Sequence, residues 1–167
     1  MQRFRDQAEH QGTEIVTADV TKVDFSARPF KVWVEDTLYL AKTVIVATGA
    51  RANYLGLPSE HELKNKGVSA CAVCDGAFYR NKPVAVVGGG DTAMEEASYL
   101  AGLCSHVTLV HRRDDFRASK AMVARVVENP KIKILYSHVV DEVLDVKEDH
   151  VTGMVVRSLK TGEKTTI

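Results

Sequence analysis

Hydrophobic positions along this chain change period several times. Residues 4–11 read as a helix. Thr13–Asp24 alternates and is rich in β-branched residues (Ile15, Val16, Val20, Val23), which predicts a strand. In Phe30–Glu35, Phe30, Val32 and Val34 alternate with Lys31, Trp33 and Glu35, and Thr37–Leu40 follows a tight turn. These segments predict an antiparallel meander. Thr43–Gly49 is a continuous apolar run closed by glycine, the pattern of a buried parallel strand. A turn-rich stretch from Asn53 to Ser59, with Pro58, is the expected boundary between two domains, 1–52 and 53–167.

Beyond it the pattern predicts a short helix over Glu60–Lys66, then a buried strand over Pro83–Gly88 and a helix over Asp91–Leu103. A strand at Val107–His111 and a helix at Ser119–Asn129 follow, the latter with Ser119 as its cap and Pro130 as its stop. Lys131–Tyr136 alternates as a strand, and His138–Val146 with Val151–Leu159 reads as an antiparallel pair. Alternating strands and helices plus a hairpin predict a nucleotide-binding α/β domain.

Composition adds limits. The chain has 167 residues, 45% of them hydrophobic, and its 22 basic residues balance 22 acidic ones. That balance speaks against a general nucleic-acid or anionic-membrane binder. The longest apolar run, Thr43–Ala47, is far short of the roughly 18–20 residues of a membrane span. The polar start, Met-Gln-Arg-Phe-Arg-Asp-Gln, lacks the apolar core of a signal peptide, so a cytoplasmic protein is expected. The chain opens on a helix with no strand before it and stops at a hairpin turn, Thr161–Ile167, that should lead into another strand; a piece of a longer protein is expected.

Chemistry enters at Val87-Gly88-Gly89-Gly90-Asp91-Thr92-Ala93, a Gly-x-Gly-x-x-Ala turn directly between a strand and a helix. Gly88 permits the sharp turn, Gly90 the approach of backbone to a pyrophosphate, and Ala93 the packing of helix on strand. The helix start at Asp91–Ala93 offers unpaired N–H groups to phosphate oxygens. An NAD site carries a carboxylate roughly 20 residues later. Here His111-Arg112-Arg113 and Arg117 stand instead, and guanidinium forks suit a 2′-phosphate, which points to NADPH. The plainer alternative is a solvated basic turn partly neutralised by Asp114 and Asp115.

Three cysteines are present, Cys71, Cys74 and Cys104. Cys104 reads as a buried small hydrophobe. The Cys71-Ala-Val-Cys74-Asp75 pair lacks a second C-x-x-C or a His pair to complete a zinc site, so no metal is expected. A redox dithiol or an inert structural pair remains, and a helix start there would stabilise a thiolate. Asp75 can move a proton for the thiols if burial raises its pKa, or it is a plain helix-turn carboxylate. Hydride donors do not reduce disulfides directly, so a flavin is expected between nicotinamide and sulfur.

Cys71-Ala-Val-Cys-Asp-Gly, Gly88-Gly-Gly-Asp-Thr-Ala and His111-Arg-Arg-x-x-x-Arg117-Ala-Ser-Lys together resemble the low-molecular-weight NADPH-dependent thioredoxin reductases of bacteria and plants. Thr43-Val-Ile-Val-Ala-Thr-Gly-Ala50 and Tyr54-Leu-Gly-Leu-Pro-Ser-Glu60 are similar to that family too. The resemblance implies a Rossmann-like FAD/NAD(P)-binding fold, a parallel sheet with helices on one face and an antiparallel β-meander on the other. It implies transfer of electrons from NADPH through FAD to Cys71–Cys74 and on to thioredoxin. In that reading Cys74 lies against the flavin, Cys71 attacks thioredoxin and Asp75 manages the proton. Gly88, Gly89, Gly90, Asp91, Thr92 and Ala93 form the pyrophosphate turn, and His111, Arg112, Arg113 and Arg117 clamp the 2′-phosphate. Ala47, Thr48, Gly49 and Val20 border FAD. The full-length family member is expected to be a homodimer.

The amino-terminal glycine turn for FAD and the carboxy-terminal Gly-Asp segment of the family are missing from these residues. Residues 1–52 therefore resemble part of a FAD-binding domain and residues 53–167 an NADPH-binding domain without its last strand. Little FAD binding and little activity are expected of the 167 residues alone. The competing reading is a non-enzymatic NADPH-binding module with redox-sensing cysteines.

Overall fold

Side chains four residues apart tie together the first helix, α1 (Gln2–His10), in the computed structural model, which describes residues 2–167. Gln2 donates to Asp6 at 2.7 Å and Arg5 pairs with Glu9 at 3.0 Å. The chain divides into two compact units, Met1–Ala50 and Arg51–Ile167. In the first, Arg5 also reaches Thr17 at 2.8 Å, pinning the irregular stretch after the helix. The expected strand over Thr13–Asp24 is shorter than its pattern. Only β1 (Val20–Asp24) pairs, antiparallel to β2 (Phe30–Val34), which pairs in turn with β3 (Thr37–Ala41).

Thr43–Gly49 is not a strand. Among the described residues nothing pairs with it, and Ile45 is 91% exposed. A parallel strand exists only through the ladder it shares with neighbours and the helices that cover it. The first unit supplies neither, so the apolar run lies open to solvent.

The second unit begins with α2 (Pro58–Glu62), whose first residue is the proline that suits a helix start. The buried Glu60 carboxylate folds back to accept the N–H groups of Leu55 and Gly56, both at 2.9 Å. One turn of helix, α3 (Ala72–Asp75), runs into a 3-10 turn at Gly76–Tyr79. Then come β4 (Pro83–Val87), α4 (Asp91–Leu103), β5 (His106–Val110), α5 (Lys120–Val127) and β6 (Ile132–Leu135). The three strands form a parallel sheet in the order β4-β5-β6. The remaining strands, β7 (His138–Val143), β8 (Met154–Ser158) and β9 (Lys164–Thr166), form an antiparallel sheet in that order.

The period of two along β5 divides the core. Val107 and Leu109 pack with Met94, Ala97, Leu100 and Ala101 of α4 and Val126 of α5. Val110 belongs to a second cluster with Leu63, Val140, Val143 and Val156. Helices thus cover one face of the parallel sheet and the antiparallel meander the other, the α/β arrangement expected from the sequence. Each buried Val, Leu or Met side chain among them contributes on the order of 1.5–3 kcal/mol through area removed from water. Ser119 stands at the start of α5 as expected, but its hydroxyl makes no capping bond.

Candidate functional site

The glycine turn sits at the carboxyl end of β4, where the sheet hands the chain to α4. Gly88 has φ 156°, and a methyl there would lie 2.8 Å from the Ala93 Cβ, so glycine is required by backbone and packing together. Gly90 is the residue before α4, and no side chain caps the helix. The space around its Cα is open. The first-turn amides of α4 are therefore available, at the positive end of a 13-residue helix, to a phosphate approaching Gly90. This cradle fits a dinucleotide pyrophosphate. Thr92 is exposed beside it and Ala93 is buried against the strand end.

Asp91 has a different task. Its carboxylate accepts the N–H of Ser119 at 2.8 Å, fastening the start of α4 to the loop before α5. That loop carries Arg112, Arg113 and Arg117, all exposed and none ion-paired among the described residues. Asp114 does not neutralise them. It accepts from Lys160 at 2.7 Å and from Ser137 at 2.6 Å, bonds that hold its carboxyl below the usual carboxylate range. Three guanidinium groups remain for an anion, the chemistry of a 2′-phosphate clamp. His111, by contrast, is buried, and its Nε2 lies 3.0 Å from the Asp115 carbonyl.

Cys71 and Cys74 form a disulfide with their Cα atoms 5.3 Å apart. Cys71 precedes α3, and its sulfur accepts the N–H of Cys74 at 3.2 Å. Helix α3 is a single turn, so sulfur here is polarised by one nearby amide rather than by a long helix dipole. The Ser69 hydroxyl accepts the Cys71 N–H at 3.1 Å, and Glu96 of α4 accepts the Ala72 N–H at 3.3 Å. Cys74 is exposed and Cys71 half-buried; Val73 and Phe78, 70% and 76% exposed, give this surface an apolar character. Asp75 is half-buried at the end of the turn, its N–H bonded to the Cys71 carbonyl at 3.2 Å. Cys104 ends α4 in the core with no exposed surface, and burial pushes its thiol pKa up.

Glu96 and the backbone of Ser119 escaped sequence reasoning. Both act across 24 or more positions, and nothing in their neighbours announces a partner so distant. In the first unit Val20 is exposed at the start of β1, and Ala47, Thr48 and Gly49 are exposed beyond β3. Gly49 has φ 79° and open space at its Cα, so backbone there can border a flavin. Residues 2–50 hold only Gly12 and Gly49, however, and offer no glycine-rich strand–helix turn for the flavin's pyrophosphate.

Residues 3–167 match the pyridine nucleotide-disulphide oxidoreductase family. The chain is 47% identical over 165 residues to a thioredoxin reductase of Rickettsia felis, covering 98% of this chain and 53% of that protein. It is 54% identical over 148 residues to a glucosaminate ammonia-lyase of Pseudomonas fluorescens, covering 86% of this chain and 46% of that one. Among solved structures it resembles a thioredoxin reductase from Giardia duodenalis, with TM-score 0.82, 45% identity, and coverage of 99% and 54% of the two chains. The chain spans about half the length of the curated relatives it matches.

Proposed function

The chain belongs to the pyridine nucleotide-disulphide oxidoreductase family, and from that membership we propose that it carries the dinucleotide and disulfide parts of an NADPH-dependent thioredoxin-disulfide reductase. One observation carries the reading. A disulfide is fastened through Glu96 to the same helix, α4, whose first turn forms the dinucleotide cradle. Elimination of ammonia requires neither a dithiol nor a 2′-phosphate clamp, so the lyase among the relatives does not set the function.

When bound, NADPH supplies a hydride and FAD the means of passing its electron pair to sulfur. Gly88, Gly89, Gly90, Thr92 and Ala93 would hold the pyrophosphate of NADPH, with Asp91 bracing the turn. Arg112, Arg113 and Arg117 would hold its 2′-phosphate. Val20, Ala47, Thr48 and Gly49 would border FAD. We read residues 53–167 as the NADPH-binding domain and residues 1–52 as part of a FAD-binding one.

The disulfide gains two electrons and two protons and opens to Cys71 and Cys74 thiols. Cys71 gives its proton to the Asp75 carboxylate and attacks one sulfur of oxidised thioredoxin; that S–S bond breaks, and Asp75 returns the proton to the leaving sulfur. Cys74 next attacks the mixed disulfide, releasing dithiol thioredoxin and restoring the Cys71–Cys74 bond. Val73 and Phe78 offer the partner an apolar footing beside the sulfurs. We assign the reaction to the cytoplasm, where dithiol chemistry is kept reduced, and to a homodimer. No helix among the described residues is long and apolar enough to cross a membrane.

Trapping tests the reading. The reduced Cys74→Ser chain, mixed with oxidised thioredoxin, should accumulate a mixed disulfide through Cys71, and Cys71→Ser should not. Equal failure of both variants, with the pair in the unsubstituted protein also inert toward thioredoxin, would leave a nucleotide-binding module instead.

A further inference from the structure

We propose that His111 is a positioning residue that sets the spacing between the glycine turn and the arginine loop, and is not itself a ligand of the 2′-phosphate. The inference deepens the NADPH reading above and rests on it.

The backbone of His111 is bracketed on both sides. Its N–H donates to the Leu135 carbonyl at 2.9 Å, and its carbonyl accepts the His138 N–H at 3.0 Å. The ring therefore leaves the sheet at a fixed point, 6% exposed. It is directed beneath Gly89, where a methyl group would overlap the ring atoms Cε1 and Nδ1. Gly89 is thus glycine because an imidazole occupies the space of a side chain. The ring's Nε2 faces the Asp115 carbonyl at 3.0 Å, and its centroid lies 5.0 Å from that of the tilted Phe116 ring, whose centroid is in turn 5.2 Å from that of Tyr136.

Asp115 and Phe116 belong to the arginine loop, and the next residue, Arg117, donates its N–H to the Gly89 carbonyl at 2.8 Å. The imidazole thus lies against both the glycine turn and the loop. The Arg117–Gly89 bond closes the same gap in the backbone. A buried ring held at a polar edge by a carbonyl is poorly disposed to meet a phosphate, whereas Arg112, Arg113 and Arg117 are exposed. Removing the ring should let the loop drift from the turn, so the arginines lose their preset distance to the pyrophosphate cradle.

A double-mutant cycle in the full chain tests this, with adenosine 2′,5′-bisphosphate and AMP as probes followed by calorimetry. Gly89→Ala and His111→Ala should each weaken the bisphosphate more than AMP, so that the ratio of the two affinities falls. In the double variant the methyl added at position 89 enters space the ring has vacated, so the loss should be smaller than the product of the single losses by about fivefold or more. Additive losses would overturn the proposal, because the methyl and the ring would then not contend for one space.

Hydrogen exchange of the His111→Ala chain separates a positioning ring from a phosphate ligand, and it decides alone if Gly89→Ala does not fold. The Arg117 amide should lose protection while amides of β4 keep theirs; unchanged Arg117 protection overturns the proposal. A wild-type chain binding AMP as tightly as the bisphosphate would instead remove the NADPH reading, and this inference with it.

Discussion

The Asp91 carboxylate and the Ser119 amide, 28 residues apart, meet at 2.8 Å and join the first turn of α4 to the loop that precedes α5. An acidic residue at a helix start is favourable by itself. Here it also accepts a backbone hydrogen of a second element. Replacing Asp91 by Ala should therefore cost about 1 kcal/mol of stability through that bond. Asn, which keeps an acceptor oxygen, should recover most of the loss. Chemical denaturation of both variants checks this; equal losses would mean that the bond contributes nothing and only the charge matters.

Arg112 and Arg113 should decide between the two nicotinamide cofactors. Changing both to Ala should weaken NADPH by about tenfold or more, since bonds to charged groups contribute on the order of 1.5–3 kcal/mol each, and leave NADH nearly unchanged. The advantage of NADPH should also shrink with added salt, because the guanidinium groups are exposed. Titrating both cofactors at two ionic strengths is the measurement. An NADPH affinity indifferent to both changes would contradict the 2′-phosphate assignment.

Glu60 accepts two amide hydrogens while buried, so Glu60→Ala should orphan the Leu55 and Gly56 amides. The expected loss is about 2 kcal/mol, within the range for bonds to a charged acceptor, and faster proteolysis at residues 54–57 should accompany it. A loss of stability without new cleavage there would show that the segment holds its shape by other means.

Acid should loosen the antiparallel sheet first. Asp141 pairs with Arg157 and Lys164, each at 3.0 Å, and the Arg157 bond in particular holds its carboxyl below the ordinary value. A carboxyl depressed in the folded state stabilises above its unfolded pKa, about 3.9, and the gain disappears as pH falls through the lower folded value. Thermal midpoints of wild type and Asp141→Asn should therefore differ at pH 7 and converge as pH falls through the depressed folded value. A gap that persists in acid would exclude this origin.

Not every element announced itself in the chain. The path from β4 through the glycine turn to α4 and β5 was legible because its determinants are local: an apolar run, three glycines and a 3.6-residue period. The arginine cluster was legible for the same reason. Thr43–Gly49 has the composition of a buried strand, yet composition cannot provide the neighbouring strands that would make it one. Ser119 stood where a cap belongs, but its contribution lies in an amide and a partner in another helix. Glu96 and the buried ring of His111 depend on folding in the same way.

The exposed run at Ile45 yields a simple expectation. Ile45→Lys should change stability by less than about 0.5 kcal/mol, because the side chain is already in water, while reducing binding of an apolar dye. A marked loss of stability would show that Ile45 is covered in solution.

Cys104 finally makes the chain its own redox indicator. Its burial and raised pKa keep that sulfur silent toward alkylating reagents under native conditions. The other two cysteines are joined to each other. Native alkylation should thus add nothing to the oxidised protein and two adducts to the reduced one, and an intact mass then reads the oxidation state of the pair without a dye, a coupled enzyme or a mutation.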